Sequence, residues 1–158
     1  MKIKSQILDF IYILVIFCFD RLSKIIIINI LNSNNNEQIV ISNFLSLNLI
    51  WNKGIAFGLF SQNDNFYYQL LTAFIALIII LIFFLMKKSE GLEKYGFLMV
   101  LGGSLGNIFD RILYSSVPDF IDFYFKDFHW FVFNVADIFI TLGISILIFS
   151  EIKKKNYE

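Results

Sequence analysis

Long apolar segments alternate with shorter polar stretches along this chain. Four apolar segments cover residues 7–31, 66–86, 95–113 and 131–152. Each is long enough to cross the hydrocarbon core of a bilayer, for which a helix needs roughly 20 apolar residues. The pattern therefore predicts four transmembrane helices.

A shorter pattern lies in the polar stretch between the first two segments. Apolar residues occur there at every second position: Leu45, Leu47, Leu49 and Trp51. A period of two is typical of a half-buried strand, so we expect a small β-sheet lying on the membrane surface. The predicted fold class is all-α integral membrane, with four transmembrane helices and a small extracytoplasmic β-sheet between helices 1 and 2. We expect residues 1–158 to form a single membrane-embedded domain.

Composition supports a membrane protein and excludes several other classes. Hydrophobic residues make up 58% of the chain, and the mean hydropathy is +0.71, whereas soluble domains are about half apolar. The formal net charge is zero, which argues against a nucleic-acid partner held through its phosphates. Cys18 is the only cysteine, so an internal disulfide and a cysteine-based metal cluster are both excluded.

The basic residues predict the orientation of the helices, because short cytoplasmic flanks of membrane helices are enriched in Lys and Arg. One side of the four-helix path collects most of them: Lys2, Lys4, Lys87, Lys88, Lys94, Lys153, Lys154 and Lys155. The opposite side has Lys53 and Lys126, with Arg111 at a helix end. We therefore expect both termini in the cytoplasm and the loops over residues 32–65 and 114–130 on the outer side.

Two acidic residues stand where the third and fourth segments meet the outward side. Asp119 and Asp137 bracket an aromatic-rich stretch. An ionised Asp in a membrane helix costs about 2.5–3.5 kcal/mol even on insertion scales. Two such residues close to one interface indicate joint use, and the obvious use is a catalytic carboxylate pair in which one member holds a proton.

Further polar residues lie in helical register in the third and fourth segments. Asn107, Asp110 and Arg111 share one helix face. We expect them to form a polar network inside the bundle, because unpaired polar groups are costly in hydrocarbon. A second polar stripe, also expected to face the bundle, opens the fourth segment: Asn134, Asp137 and Thr141.

The first segment and the predicted strand add two smaller features. Asp20 and Lys24 have the i, i+4 spacing that permits a salt bridge, and we expect this pair to give structural support or bind substrate backbone. Arg21 lies on another helix face and is expected to reach lipid headgroups. After the strand, Asn52 and Gly54 begin a turn with glycine where φ can be positive.

Other chemistries have weaker support. His129 is the only histidine, and we expect it to lie in an interfacial aromatic belt rather than in a nucleophilic triad. Asp119, Asp122 and Asp127 can supply oxygen ligands to a divalent cation, which leaves a metal-dependent lipid-phosphate transferase as an alternative. A non-enzymatic transporter subunit, with the acids as a proton relay, is a second alternative.

Five short motifs follow one another along the chain: Asp20-x-x-Ser-Lys24, Asn52-x-Gly54-x-Ala-Phe-Gly58, Gly102-Gly-x-x-Gly106-Asn107-x-x-Asp110-Arg111, Val117-x-Asp119-Phe and Phe133-Asn134-x-Ala136-Asp137. Each motif is weak alone, but the five in this order are highly specific. Together they resemble lipoprotein signal peptidase, also called signal peptidase II, over nearly the whole chain.

The resemblance implies an aspartic endopeptidase of the bacterial inner membrane, with its active site near the outer leaflet and no metal or cofactor. Its substrates would be diacylglyceryl-modified prolipoproteins, from which it removes the signal peptide, and its other partner would be membrane lipid. The catalytic pair carries over onto Asp119 and Asp137. Residues implied in substrate binding or active-site support are Asp20, Lys24, Asn52, Gly54, Asn107, Asp110, Arg111 and Asn134.

Two positions set this chain apart from the family pattern. Many members have a proline shortly before the Phe-Asn motif, where this chain has Phe131. Pro118 directly precedes one acid and restricts the local backbone. Neither change removes a member of the carboxylate pair.

Overall fold

The computed structural model describes residues 2–35, 37–54 and 65–155. Within these residues the chain forms four helices and four strands. In chain order they are α1 (Lys2–Ser33), β1 (Ile39–Ser42), β2 (Leu45–Asn52), α2 (Asn65–Lys88), α3 (Gly91–Tyr114), β3 (Val117–Phe125), β4 (Phe128–Phe133) and α4 (Val135–Lys155).

Three of the described helices, α2, α3 and α4, are long and apolar enough to cross a membrane. α1 is the longest helix at 32 residues, but Asp20, Arg21 and Lys24 interrupt its apolar sequence. The four predicted helices are therefore present, whereas the count of four transmembrane helices stays a prediction. Most exposed side chains of α2 between Phe66 and Leu85 are large and apolar, which is typical of a helix that faces lipid.

The start of the fourth helix was predicted too early. Residues Phe131 to Phe133 belong to β4, and α4 begins only at Val135. The physical reason is that an apolar, aromatic-rich run fits a strand as well as a helix. Pairing with β3 decides between them, and it brings Asp137 into the first turn of α4.

The strands form one antiparallel sheet in the order β1-β2-β3-β4. The strand predicted from the alternating pattern is β2, with β1 beside it in the connection between α1 and α2. The other two strands come from the connection between α3 and α4, so the sheet is larger than predicted. In the register of β2 with β3, Ile50 pairs with Asp119 and Ser46 pairs with Asp122.

α3 is the central helix and packs against the three other helices. Glycines allow this close approach. A Cβ on Gly102 would lie 2.8 Å from the Ile16 side chain of α1, and a Cβ on Gly103 would lie 2.5 Å from the Ala136 carbonyl oxygen of α4. The helices therefore meet closely at the level where their polar residues are found.

Candidate active site

Asp119 lies on β3 and is 3% exposed. Both of its carboxylate oxygens accept a hydrogen bond from an asparagine side chain. Asn52 Nδ2 donates to Oδ2 at 2.9 Å, and Asn134 Nδ2 donates to Oδ1 at 2.6 Å. The donors come from β2 and from the start of α4, so the carboxylate is fixed from two sides.

Asp137 lies in the first turn of α4 and is partly exposed. Its Oδ1 accepts a hydrogen bond from Asn107 Nδ2 at 2.9 Å, and its Oδ2 accepts one from the backbone N–H of Asn134 at 3.1 Å. In return, Asn134 Oδ1 accepts from the backbone N–H of Asp137 at 3.1 Å. This reciprocal pairing is a capping box, which explains why the helix begins here.

Asn134 therefore connects the two acids. Its backbone and side-chain oxygen bind Asp137, while its side-chain NH2 group binds Asp119. Burial raises the pKa of Asp119 to about 7, and the nearby charge of Asp137 contributes in the same direction. The hydrogen bonds from Asn52 and Asn134 oppose this rise, because they stabilise the charged form. At neutral pH this carboxyl group can thus hold a proton beside a second acid.

Behind Asp137 lies a buried ion cluster that joins α1 to α3. It consists of four residues: Asp20, Arg21, Lys24 and Asp110. Lys24 Nζ lies 2.9 Å from Asp20 and 2.7 Å from Asp110, so the predicted salt bridge is present with a second partner. The prediction for Arg21 was wrong: its guanidinium pairs with Asp110 at 2.5 Å instead of reaching headgroups. Position along α1 alone did not reveal this partner on α3.

The ion cluster contacts the helix that carries Asp137 and one of the hydrogen-bond partners of Asp137. Lys24 donates to Asn107 Oδ1 at 2.9 Å, and Asp20 Oδ1 accepts from the backbone N–H of Ala136 at 3.0 Å. A carboxylate at a helix N-terminus is favourable, because the first N–H groups lack partners within the helix. The cluster therefore supports the first turn of α4, where Asp137 lies.

Arg111 and Gly54 meet on the β2 side of the site. The Arg111 guanidinium donates to the Gly54 carbonyl oxygen, and the Gly54 N–H donates to Asn52 Oδ1 at 2.7 Å. Arg111 thus fixes the turn that orients Asn52 towards Asp119. The rest of this sequence motif, residues 55–58, lies outside the described residues.

The structure brings all ten predicted site residues into one connected set, but it separates two other predicted features. Asp122 is directed to His129 at 2.8 Å and to Ser46 at 3.3 Å, away from the set around Asp119. Thr141 is exposed, so the polar stripe of the fourth helix ends before it. No group of three or more His, Cys, Asp or Glu side chains in the described part of the chain is arranged to hold a metal ion.

Comparison with known proteins bears directly on the family. The family model described as signal peptidase (SPase) II matches residues 12–153. The lipoprotein signal peptidase of Pelagibacter ubique (strain HTCC1062) is 50% identical over 151 residues, which cover 96% of this chain and 91% of that protein. That of Wigglesworthia glossinidia brevipalpis is 40% identical over 153 residues, covering 96% and 95%. The chain belongs to the signal peptidase II family.

The match confirms the predicted family and the predicted removal of signal peptides from prolipoproteins. A solved bacterial membrane enzyme has the same fold, with a TM-score of 0.73 at 22% identity, covering 95% of this chain and 90% of that one. Together with the three apolar helices, this makes the chain a multi-pass membrane protein. Membership of this family also makes the chain a peptidase.

Proposed function

We propose that this chain is an aspartic endopeptidase that removes the signal peptide from diacylglyceryl-modified prolipoproteins, with Asp119 and Asp137 as its catalytic residues. The observation that carries the proposal is the position of Asn134, which binds both acids at once. One residue can do this only if the two carboxyl groups line the same small volume. Membership of the signal peptidase II family supplies the substrate class.

In the proposed mechanism the two carboxyl groups share one proton and hold a water molecule between them. The ionised carboxylate accepts a proton from this water as it attacks the scissile carbonyl carbon. The protonated carboxyl group donates to the developing oxyanion. As the peptide bond breaks, the carboxyl group that took the proton from water gives it to the leaving amine, and the other carboxylate takes a proton from a hydroxyl of the tetrahedral intermediate. The raised pKa of Asp119 supports this division, because it allows the pair to retain one proton near pH 7.

The remaining predicted site residues act as support for the pair. The amide groups of Asn52, Asn107 and Asn134 are each directed to a catalytic carboxylate, so they orient the acids. Asp20, Lys24 and Asp110 hold Asn107 and the start of α4, while Arg111 holds Gly54. Partly exposed Asp137 gives the substrate access to the pair.

The proposed location of the site is the outer leaflet of the bacterial inner membrane. In α4 the acid Asp137 lies in the first turn, whereas Lys153, Lys154 and Lys155 lie in the last turn. Basic residues mark the cytoplasmic end of a membrane helix, so the acid lies at the outer end. On this orientation α1 also crosses the membrane, both termini are cytoplasmic and the sheet lies on the outer surface, where lipidated precursors reach the pair from the bilayer.

The test uses the full chain in detergent or vesicles with a diacylglyceryl-modified precursor, and cleavage is followed as a mobility shift on a gel. Asp119→Asn and Asp137→Asn are each expected to abolish cleavage while keeping the unfolding temperature near that of the parent protein. Asp127→Asn is the matched control, because Asp127 is an exposed acid in the turn between β3 and β4.

Two further measurements separate the alternatives. Addition of EDTA is expected to leave cleavage unchanged, whereas a metal-dependent phosphate transferase would lose activity. Uncut precursor together with ion flux in vesicles would indicate a transporter subunit. Near-normal cleavage by Asp119→Asn would refute the acid pair.

A further inference from the structure

Arg21 forms the outermost contact of the ion cluster, and neither its sequence motif nor the proposed mechanism assigns it a function. Its Nη1 lies 2.5 Å from Asp110 Oδ1, and its Nη2 lies 2.7 Å from Asp110 Oδ2. The Nη2 contact is a hydrogen bond and the Nη1 contact is an ion pair. One planar guanidinium thus reaches both oxygens of the carboxylate, which the single ammonium group of a lysine cannot do in the same way. The Phe109 ring, 5.2 Å from the guanidinium carbon, limits its movement on one side. Arg21 therefore fixes the orientation of the Asp110 carboxylate.

Asp110 in turn fixes Lys24. The ammonium group has three protons to donate. It donates to Asp110 at 2.7 Å and to Asn107 at 2.9 Å, and it forms an ion pair with Asp20 at 2.9 Å. Lys24 is 1% exposed, so water does not compete for these protons. The four charges of the cluster also sum to zero, since Arg21 and Lys24 balance the two acids.

Lys24 determines which end of the Asn107 amide faces the catalytic candidate. Its ammonium group requires an acceptor, so it holds the Asn107 oxygen on its own side. The NH2 group is then directed to Asp137 Oδ1 as a donor. The reverse orientation would bring an NH2 group against an ammonium and an amide oxygen against a carboxylate, and both contacts are repulsive.

We infer that Arg21 is a positioning residue for Asp137, acting through Asp110, Lys24 and Asn107. The inference rests on the proposed function of Asp137. Without Arg21, the carboxylates of Asp20 and Asp110 share a single cation. Lys24 is then drawn towards the two acids and away from Asn107, and the Asn107 amide loses the contact that sets its orientation.

The first test replaces Arg21 with a side chain of similar length but no charge. Arg21→Met is expected to lower kcat for precursor cleavage about tenfold, the effect of about 1.4 kcal/mol in the transition state, with KM changed less than about twofold. The kcat of Arg21→Lys is expected to lie between those of the parent protein and Arg21→Met, because one ammonium keeps the charge but cannot bind both Asp110 oxygens. The matched control is Lys94→Met, which breaks another ion pair between α1 and α3, that of Lys94 with Asp9 at 2.6 Å. It is expected to keep the parent kcat.

The second test asks whether the effect passes through Asn107. In an Asn107→Ala background, Arg21→Met is expected to lower the remaining kcat by less than about twofold, because contacting residues act non-additively. A readout independent of turnover is the side-chain NH2 resonances of Asn107 in the ¹⁵N-labelled protein. In Arg21→Met these are expected to shift, whereas those of Asn52 stay unchanged.

The outcomes separate this inference from the proposed function. Loss of cleavage in Asp119→Asn and Asp137→Asn together with a parent-like kcat in Arg21→Met would overturn the role of Arg21 alone. So would an equal loss in Lys94→Met, a full Arg21→Met effect in the Asn107→Ala background, or unchanged Asn107 resonances. Cleavage that survives both Asp→Asn changes would instead overturn the proposed function.

Discussion

Asn134 Nδ2 lies 2.6 Å from Asp119 Oδ1, and its direction is set on the other side of the same amide by the N–H of Asp137. The side-chain amides of two other asparagines are oriented in the same way. The oxygen of Asn52 accepts from the Gly54 N–H, and that of Asn107 accepts from Lys24. Each amide oxygen is thus bound to a group that can only donate. Each NH2 group is thereby left to donate to Asp119 or Asp137, the two acids of the proposed pair.

Asn134→Ala is predicted to lower kcat about 10- to 100-fold, because it removes a charge-assisted hydrogen bond worth about 1.5–3 kcal/mol from Asp119 and the side-chain cap of α4. The measurement is the rate of precursor cleavage at saturating substrate. Asn48→Ala is the control on β2, since Asn48 has no hydrogen bond to either acid in the described structure. Equal rates for both variants would contradict the bridging role of Asn134.

The cleavage rate is predicted to fall as pH rises through about 7. Asp119 has its pKa raised from 3.8 to about 7, so the folded chain keeps a proton there that the unfolded chain loses at lower pH. Deprotonation therefore removes the shared proton needed for catalysis. The same difference in pKa makes the free energy of unfolding fall as the pH is raised from about 4 to about 7, because the unfolded chain has already lost this proton in that range. The measurement is kcat/KM as a function of pH, whose alkaline limb reports the pair as a unit.

Replacement of Asn52 is predicted to shift the alkaline limb of the kcat/KM profile to higher pH. The Asn52 hydrogen bond stabilises the charged form of Asp119 and so lowers its pKa. Asn52→Ala is therefore predicted to move the limb to higher pH, by about one unit for one charge-assisted hydrogen bond. The Asn48→Ala control is expected to leave it in place. A limb that moves to lower pH in Asn52→Ala would show that Asp119 does not govern it.

Lys24→Met is predicted to lower the free energy of unfolding by about 3–5 kcal/mol, because it leaves buried carboxylates with too few cations. Adding Asp20→Asn restores the charge balance, so the double variant is expected to recover part of this stability. It is not expected to recover kcat, because Asn107 still lacks its donor. Thermal unfolding in detergent and precursor cleavage measure the two effects, with exposed Lys88→Met as the control. Recovery of both together would contradict a separate role for Lys24 at Asn107.

The sequence allowed the helices, strand β2 and the residues of the candidate site to be predicted, because these depend on local periodicity and on motifs. It did not reveal β4, since the run Phe128–Phe133 is apolar enough to continue a helix and only pairing with β3 makes it a strand. The partner of Arg21 was also missed. Spacing along α1 says nothing about Asp110 on α3, which comes within reach only because Gly102 and Gly106 let the helices approach closely.

Gly103→Ala is predicted to affect both stability and cleavage, because α3 and α4 meet there. A Cβ at this position would lie 2.5 Å from the Ala136 carbonyl oxygen and 2.9 Å from Ile140 Cγ1. Backbone cannot move aside as a side chain can, so α4 must shift and carry Asp137 with it. We expect overpacking to cost about 1–3 kcal/mol in the free energy of unfolding.

Helix propensity favours the Gly103→Ala change, whereas the clash with α4 opposes it, so the sign of the change in stability shows which effect is larger. Ala is favoured over Gly in a helix by about 1 kcal/mol, so a net loss of stability means that the clash with α4 outweighs the propensity gain. Ala73→Val, at an exposed position of α2, is the control for added volume and is expected to keep cleavage. Thermal unfolding and kcat are measured for both variants. A Gly103→Ala protein that is more stable than the parent and cuts precursor at the parent rate would show that the α3–α4 contact does not hold Asp137 in place.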